Sequence, residues 1–138
     1  MGEGMGIRRL IGLGQRPDDA ERAMIDRQRK LCLRVKASYL SVGNVEKIGV
    51  SKGVLEDPQW PIHGVRVKPE RGTCGWYIWT GKHDPDDPDF FAPVHAKHLF
   101  EVRPDICDYL GMSPGWRFLI APNHEDIWFD QDALKSDH

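Results

Sequence analysis

Cys74-Gly75-Trp76-Tyr77-Ile78-Trp79-Thr80-Gly81 decides how this chain is read. A glycine, free to take positive φ, stands directly before a run of bulky aromatic and β-branched residues. That is how a turn feeds a strand whose side chains cover a sheet. A second stretch repeats the form: Gly111-Met112-Ser113-Pro114-Gly115-Trp116-Arg117-Phe118-Leu119-Ile120, with Glu125-Asp126-Ile127-Trp128-Phe129-Asp130 close behind. The two cassettes predict a strand over 76–80. They also predict an antiparallel hairpin of 116–121 and 126–130, turning at Pro122-Asn123-His124.

Outward from the cassettes the remaining elements follow from periodicity. Residues 62–68 alternate, with Ile62, Gly64 and Arg66 against His63, Val65 and Val67, and 46–54 reads as a strand around Ile48 and Val50. Asp18 followed by Glu21, just after Pro17, is a capping-box signal for a helix over about 19–31. It places Ala20, Met24 and Leu31 on one face and Arg22, Asp26 and Arg29 outside. An acidic loop at 83–89 leads to a helical stretch over about 94–102. A shorter helix follows over 105–109, with Pro104 just before it. Strands cluster with helices grouped between them, not in strict alternation. The expected class is α+β: a mostly antiparallel, twisted sheet with two or three helices packed on one face. Residues 1–16 read as a flexible arm, 17–134 as a single domain and 135–138 as a tail, with no internal repeats.

Composition sets bounds. A chain of 138 residues is one domain by length and buries roughly two-thirds of its unfolded surface. Charged residues at 29% and hydrophobic ones at 40% are ordinary for a folded soluble protein. A formal charge of −2 argues against a general nucleic-acid binder. Cys32, Cys74 and Cys107 are odd in number and form no CxxC pair, so reduced thiols in a cytosol are the simplest account. Arg8-Arg9 precedes too short an apolar stretch for a signal peptide, and no run approaches transmembrane length. A cytoplasmic protein is expected.

The ordered segments resemble one family. Gly75-Trp76 to Gly81, the Asp-Pro loop, His95 to Leu99, Pro104 to Leu110, Pro114-Gly115-Trp116-Arg117-Phe118 and Asp126-Ile127-Trp128-Phe129-Asp130 are similar to the Imm33 group of bacterial immunity proteins (DUF2185). The resemblance covers about 45–134. In the pattern it resembles, most relatives carry serine before the first Gly-Trp, where this chain has Cys74, a change that keeps size but weakens any hydrogen bond there. The resemblance implies a role as well as a fold. The expected partner is a cognate toxin protein, bound without cofactor or turnover, with neither nucleic acid nor membrane involved.

His95 and His98, three apart on a predicted helix, could join His83 or a loop aspartate around a divalent metal. The His-Glu-x-x-His pattern is absent, and an exposed helix is the plainer account. Cys74 lies outside any fuller thiol-protease signature and reads as a structural thiol, and no serine sits in a Gly-x-Ser-x-Gly elbow. Glu125, Asp126 and Asp130 are paired carboxylates that strand alternation would split between faces. Glycine clusters at 2–6 and 12–14 lack a P-loop lysine. No catalytic residue and no metal site is therefore expected.

The binding reading rests on Asp84, Asp86, Asp87 and Asp89, interleaved with Pro85 and Pro88. Such a patch attracts a basic partner and speeds encounter. Trp79 and Phe91 are the candidate anchors beside it. The alternative is a solvated loop with Phe90 and Phe91 folded into the core. Gly75, Trp76, Gly81, Pro114, Gly115, Trp116, Arg117, Phe118, Trp128 and Phe129 are assigned mainly to the fold. Arg117 is open to a cation–π contact, an ion pair with Asp126 or Asp130, or solvent. Two other classes remain: a non-toxin interaction domain, and a small His/Asp metal-dependent enzyme.

Overall fold

Three helices and six strands build the computed structural model, which describes residues 19–56 and 59–135. The expected arm, the Asp18 cap and the last three residues lie outside the described residues. Helix α1, Asp19–Val35, carries Asp19 and Glu21 in its first turn and Arg34 in its last, matching charge to the helix dipole. It continues past the predicted end at residue 31. Its inner face presents Met24, Leu31 and Cys32, and also Gln28, a polar residue among apolar ones. The Gln28 amide is satisfied there: Nε2 donates to the Cys107 carbonyl at 2.9 Å.

One sheet runs in the order β4-β1-β3-β2-β5-β6. Its strands are β1 (Lys47–Val50), β2 (Ile62–Arg66), β3 (Thr73–Thr80), β4 (Ala92–His95), β5 (Trp116–Ala121) and β6 (His124–Phe129). Every pairing is antiparallel except that of β1 with β3. The β5–β6 hairpin closes across Pro122 and Asn123. Asn123 takes φ 61°, which asparagine tolerates better than most residues. The mostly antiparallel α+β arrangement expected from the cassettes is the one found.

Two local expectations are corrected. The segment 94–102 is not helical throughout: it begins as β4, and helix α2 starts only at Ala96 and runs to Val102. Pairing of Val94 with Ile48 and of Pro93 with Gly49 draws the chain into the sheet before the helix can form. Four residues holding a proline show no alternation for a sequence reading to detect. The strand expected over 46–54 stops at Val50, and a single 3-10 turn, Lys52–Val54, takes over. Helix α3, Pro104–Cys107, opens on Pro104, where the missing N–H is harmless.

The helices contribute to a single core on one face of the sheet. Met24, Leu31, Ala96, Leu99, Ile106 and Cys107 join Ile48, Ile62, Trp76, Ile78, Phe118 and Ile120 in one cluster. Arg66 is 1% exposed within this layer and makes no salt bridge among the described residues, the Glu46 carboxylate acting on it only at a distance. Its Nη1 donates to the carbonyls of Leu40 (2.8 Å), Met112 (2.9 Å) and Leu110 (3.4 Å), and its Nε to Cys74 (3.3 Å). Arg103, also buried, donates to the Val54 carbonyl at 2.7 Å and forks onto Asp105. Among the described residues no helix is long and apolar enough to cross a membrane.

Two substitutions test this account by urea denaturation. Arg66→Met leaves the Leu40 and Met112 carbonyls without their donor, while Leu110 keeps the Trp76 indole, and lowers stability by about 3 kcal/mol. Arg66→Lys recovers only part, because an ammonium cannot reproduce the fork. Gly75→Ala is also costly. Gly75 has φ 101°, and an added Cβ would run into the Val67 carbonyl oxygen. A loss of at least about 2 kcal/mol is expected. Gly72→Ala, at φ 78° with open space around it, costs only about 1 kcal/mol.

Candidate functional site

Among the described residues the three α-helices lie on one side of the sheet, and its other face carries none of them. Alternation along β2 and β3 sends Ile62, Gly64, Trp76 and Ile78 into the core. It sends His63, Val65, Tyr77 and Trp79 the other way, and β5 adds Arg117 and Leu119. Gly49 of β1 pairs with Tyr77, and the missing side chain lets the tyrosine ring lie across its backbone. The result is a concave groove of about 890 Å³. Gly49, Val65, Tyr77 and Trp79 form its floor, the acidic loop with Phe91 one wall, and Glu70, Arg71, Asp132 and Lys135 the rim.

Rings lock the acidic loop onto this floor. His63 stacks on Trp79 with centroids 5.1 Å apart and planes 9° apart. Trp79 meets His83 at 5.7 Å and Phe91 at 6.0 Å, and Phe91 meets Tyr77 edge-on at 5.0 Å. Phe90 packs on both His83 and Phe91. Contacts of this kind add about 1 kcal/mol each beyond their buried area. Trp79 is 8% exposed, and Phe91 is half-buried above it. The Phe pair therefore packs on the open face, away from the helical core.

The loop takes its shape from its own aspartates. Asp84 accepts from the Asp86 amide at 3.0 Å and Asp87 from the Asp89 amide at 2.9 Å. Backbone bonds Asp87 N–H to Asp84 and Phe90 N–H to Asp87 close two consecutive turns. All four carboxylates of Asp84, Asp86, Asp87 and Asp89 are solvent-exposed, and Lys82 adjoins them in sequence.

At the other end of the groove Arg117 pairs with Asp130 at 3.0 Å and lies 5.8 Å over the Trp128 ring. Both contacts allowed by the sequence are present together, with Asp130 the chosen carboxylate. The Arg117 Nε is buried with no acceptor among the described residues. Trp128 and Phe129 are 41% and 48% exposed, while Trp76 and Phe118 are enclosed. Phe129 packs edge-on against Trp116 at 5.6 Å. Pro114 and Trp116 are half-buried, Gly115 is buried and Gly81 is exposed.

The other candidates lie apart from the groove. His95 ends β4 and His98 sits on α2, both exposed, while His83 belongs to the ring cluster. Among the described residues no group of three or more His, Cys, Asp or Glu side chains could hold a metal. Cys32, Cys74 and Cys107 are free and buried. Burial pushes all three thiols up, away from the thiolate a nucleophile needs. Glu125 accepts from Tyr109 at 2.6 Å and pairs with Arg34, which holds its carboxyl below the usual range. His63, Val65, Tyr77, Glu70 and Arg71 were not singled out from sequence. The alternation of 62–68 held the signal for the first two, but nothing in sequence said on which side of the sheet the helices would pack.

A sequence model of the family described as the Imm33-like domain matches residues 27–130. Neither a curated protein nor a solved structure matches the chain. The chain belongs to the Imm33-like family, and the matched span contains every strand and most of α1.

His63 gives the site a pH signature. Burial, and then the nearby Arg117 charge, hold its imidazole below the ordinary 6.5. The unfolded chain therefore takes up this proton first as pH falls. The stability contributed by neutral His63 is complete above 6.5 and declines as pH drops towards the folded value. An NMR titration is expected to place the ring below 6.5. Arg117→Gln raises it only in part, because burial is the larger cause. His63→Phe flattens this share of the stability profile in urea titrations between about pH 7 and pH 5.

Proposed function

We propose that this chain is an immunity protein that binds a cognate bacterial toxin domain in the producer's cytoplasm and neutralises it by stoichiometric occlusion. Family membership supplies the class of role. The observation that carries the reading is the open face, where an aromatic-floored groove lies beside a rigid acidic loop. A surface that repeats neither the core nor an ordinary solvated face is suited to a protein partner.

In this reading Asp84, Asp86, Asp87 and Asp89 meet a basic surface on the toxin, such as one built to hold an anionic substrate. Opposite charge draws the pair together and fixes orientation, acting more on association rate than on final affinity. Phe91 supplies the apolar contact, and Trp79 supports it from beneath. The loop is already held by rings and its own turns, so little ordering entropy is spent on binding. Occlusion needs neither cofactor nor turnover, consistent with thiols held protonated by burial.

Calorimetry with the toxin domain encoded beside this gene tests the reading. One-to-one binding is expected. Changing the four loop aspartates to asparagine should weaken it by about tenfold, mainly through a slower, less salt-sensitive association. Phe91→Ala should accelerate dissociation. Tight binding that ignores both changes would keep the role and move the interface elsewhere. No binding to any toxin domain encoded nearby would remove the immunity reading and favour a non-toxin interaction domain.

A further inference from the structure

The two edges of the sheet differ. β4 is four residues long and carries Pro93, which blunts it as a template for a further strand. β6 has six residues, contains no proline and keeps an unbroken register with β5. The Asp130 amide donates to the Gly115 carbonyl at 2.7 Å, which fixes the phase of the ladder. In an antiparallel pair bonded and unbonded positions alternate. Trp128, Asp126 and His124 therefore bond to β5, and the backbone groups of Glu125, Ile127 and Phe129 point outward. Among the described residues nothing bonds to those outward groups.

We infer that β6 is the contact between two copies of this chain, paired antiparallel about a twofold axis through Ile127 to make one continuous sheet. Outward groups can meet only outward groups, so odd-numbered residues must face odd-numbered residues. With Ile127 opposite itself, Glu125 faces Phe129 of the second copy, Asp126 faces Trp128, and His124 faces Asp130. No like charges stand opposite one another. Sliding by two residues one way sets Asp126 against Asp126, and the other way sets Asp126 against Asp130; both are unfavourable.

The side chains fit this register. Glu125 is already neutralised by Tyr109 and Arg34, so it can face an aromatic ring. The two Asp126 carboxylates come only diagonal to each other, and each is bonded to its own His124 at 2.9 Å. Trp128 and Phe129, 41% and 48% exposed, would be covered in the pair. Removing such apolar area from water adds to the ladder bonds. A partner protein's strand could use the same edge, but the self-pairing already opposes no like charges and covers Trp128 and Phe129 with residues of this chain.

Sedimentation equilibrium on the full chain decides the matter. The wild type is expected at twice the 15.8 kDa chain mass, shifting towards monomer on dilution. Trp128→Glu places a carboxylate against Asp126 of the second copy at two symmetric sites and weakens dimerisation by about tenfold. Adding Asp126→Lys to that variant restores pairing by charge reversal, which a merely misfolded variant could not do. In hydrogen exchange on the wild type, amides of Glu125, Ile127 and Phe129 gain protection with rising concentration, while those of Asp126 and Trp128 are protected throughout. A wild type that stays monomeric at about 100 µM, where even a micromolar dimer would form, overturns the proposal. So does a dimer indifferent to Trp128→Glu.

Discussion

A buried guanidinium whose hydrogen bonds all go to carbonyl oxygens is the constraint on which the rest of this fold depends. Taking a charged group out of water costs several kcal/mol, and among the described residues Arg66 makes no salt bridge, Glu46 acting on it only at a distance. Desolvation pushes its pKa below the usual arginine value, and a guanidinium stays charged in proteins. The compensation comes from carbonyls of Cys74, Leu40, Leu110 and Met112. These lie on three segments far apart in sequence, and none can move without exposing the charge to an apolar interior. Trp76 adds to the same knot, its indole N–H donating to Leu110 at 2.9 Å. The Gly115 amide donates to the Arg66 carbonyl at 2.7 Å. The two Gly-Trp cassettes are thus joined through one residue of β2.

That knot marks the limit of what the sequence discloses. The strands within the cassettes, the closing hairpin and the α+β class were legible because aromatic runs behind glycines and period-two alternation are local signals. Arg66 was legible only as a member of the Ile62-Gly64-Arg66 face. Nothing local says that this face is the buried one, or that four distant carbonyls will converge there. Gln28 and Arg103 escaped for the same reason, since a polar residue on an inner face looks like a fault in the pattern until its partner is seen. β4 was missed because its evidence lies in β1: Val94 is a strand residue by virtue of Ile48 opposite it.

The candidate site shows the same division. The acidic loop and the rings of Trp79 and Phe91 could be named from sequence because charge density and aromatic neighbours are visible in order. Their mutual arrangement could not, since the link runs through His63 on another strand. Stacking of His63 on Trp79 lets Trp79 serve as a rigid base for Phe91 and His83. The loop owes its conformation to that base as much as to its prolines. The sequence allows Arg117 three environments, and the structure combines two of them, because Trp128 lies opposite it on β6 and Asp130 follows just beyond that strand.

These features share one cause. The three α-helices lie over the face that carries Ile48, Ile62, Trp76, Ile78 and Phe118, so among the described residues the opposite face is bordered only by loops and the Gln131–Leu134 turn. A face meant only for water would favour short polar side chains. This one instead carries tyrosine, tryptophan and histidine packed into a continuous ring cluster, with its charges held at either end. Stability alone does not require that arrangement, because the core beneath is already closed. The groove is better understood as the product of a second demand on the same strands. Residues at one parity build the core, those at the other build a rigid surface, and a one-residue slip in register would exchange the two. The carbonyl cage around Arg66 guards against that slip, so the buried charge that holds the fold also keeps the open face aligned.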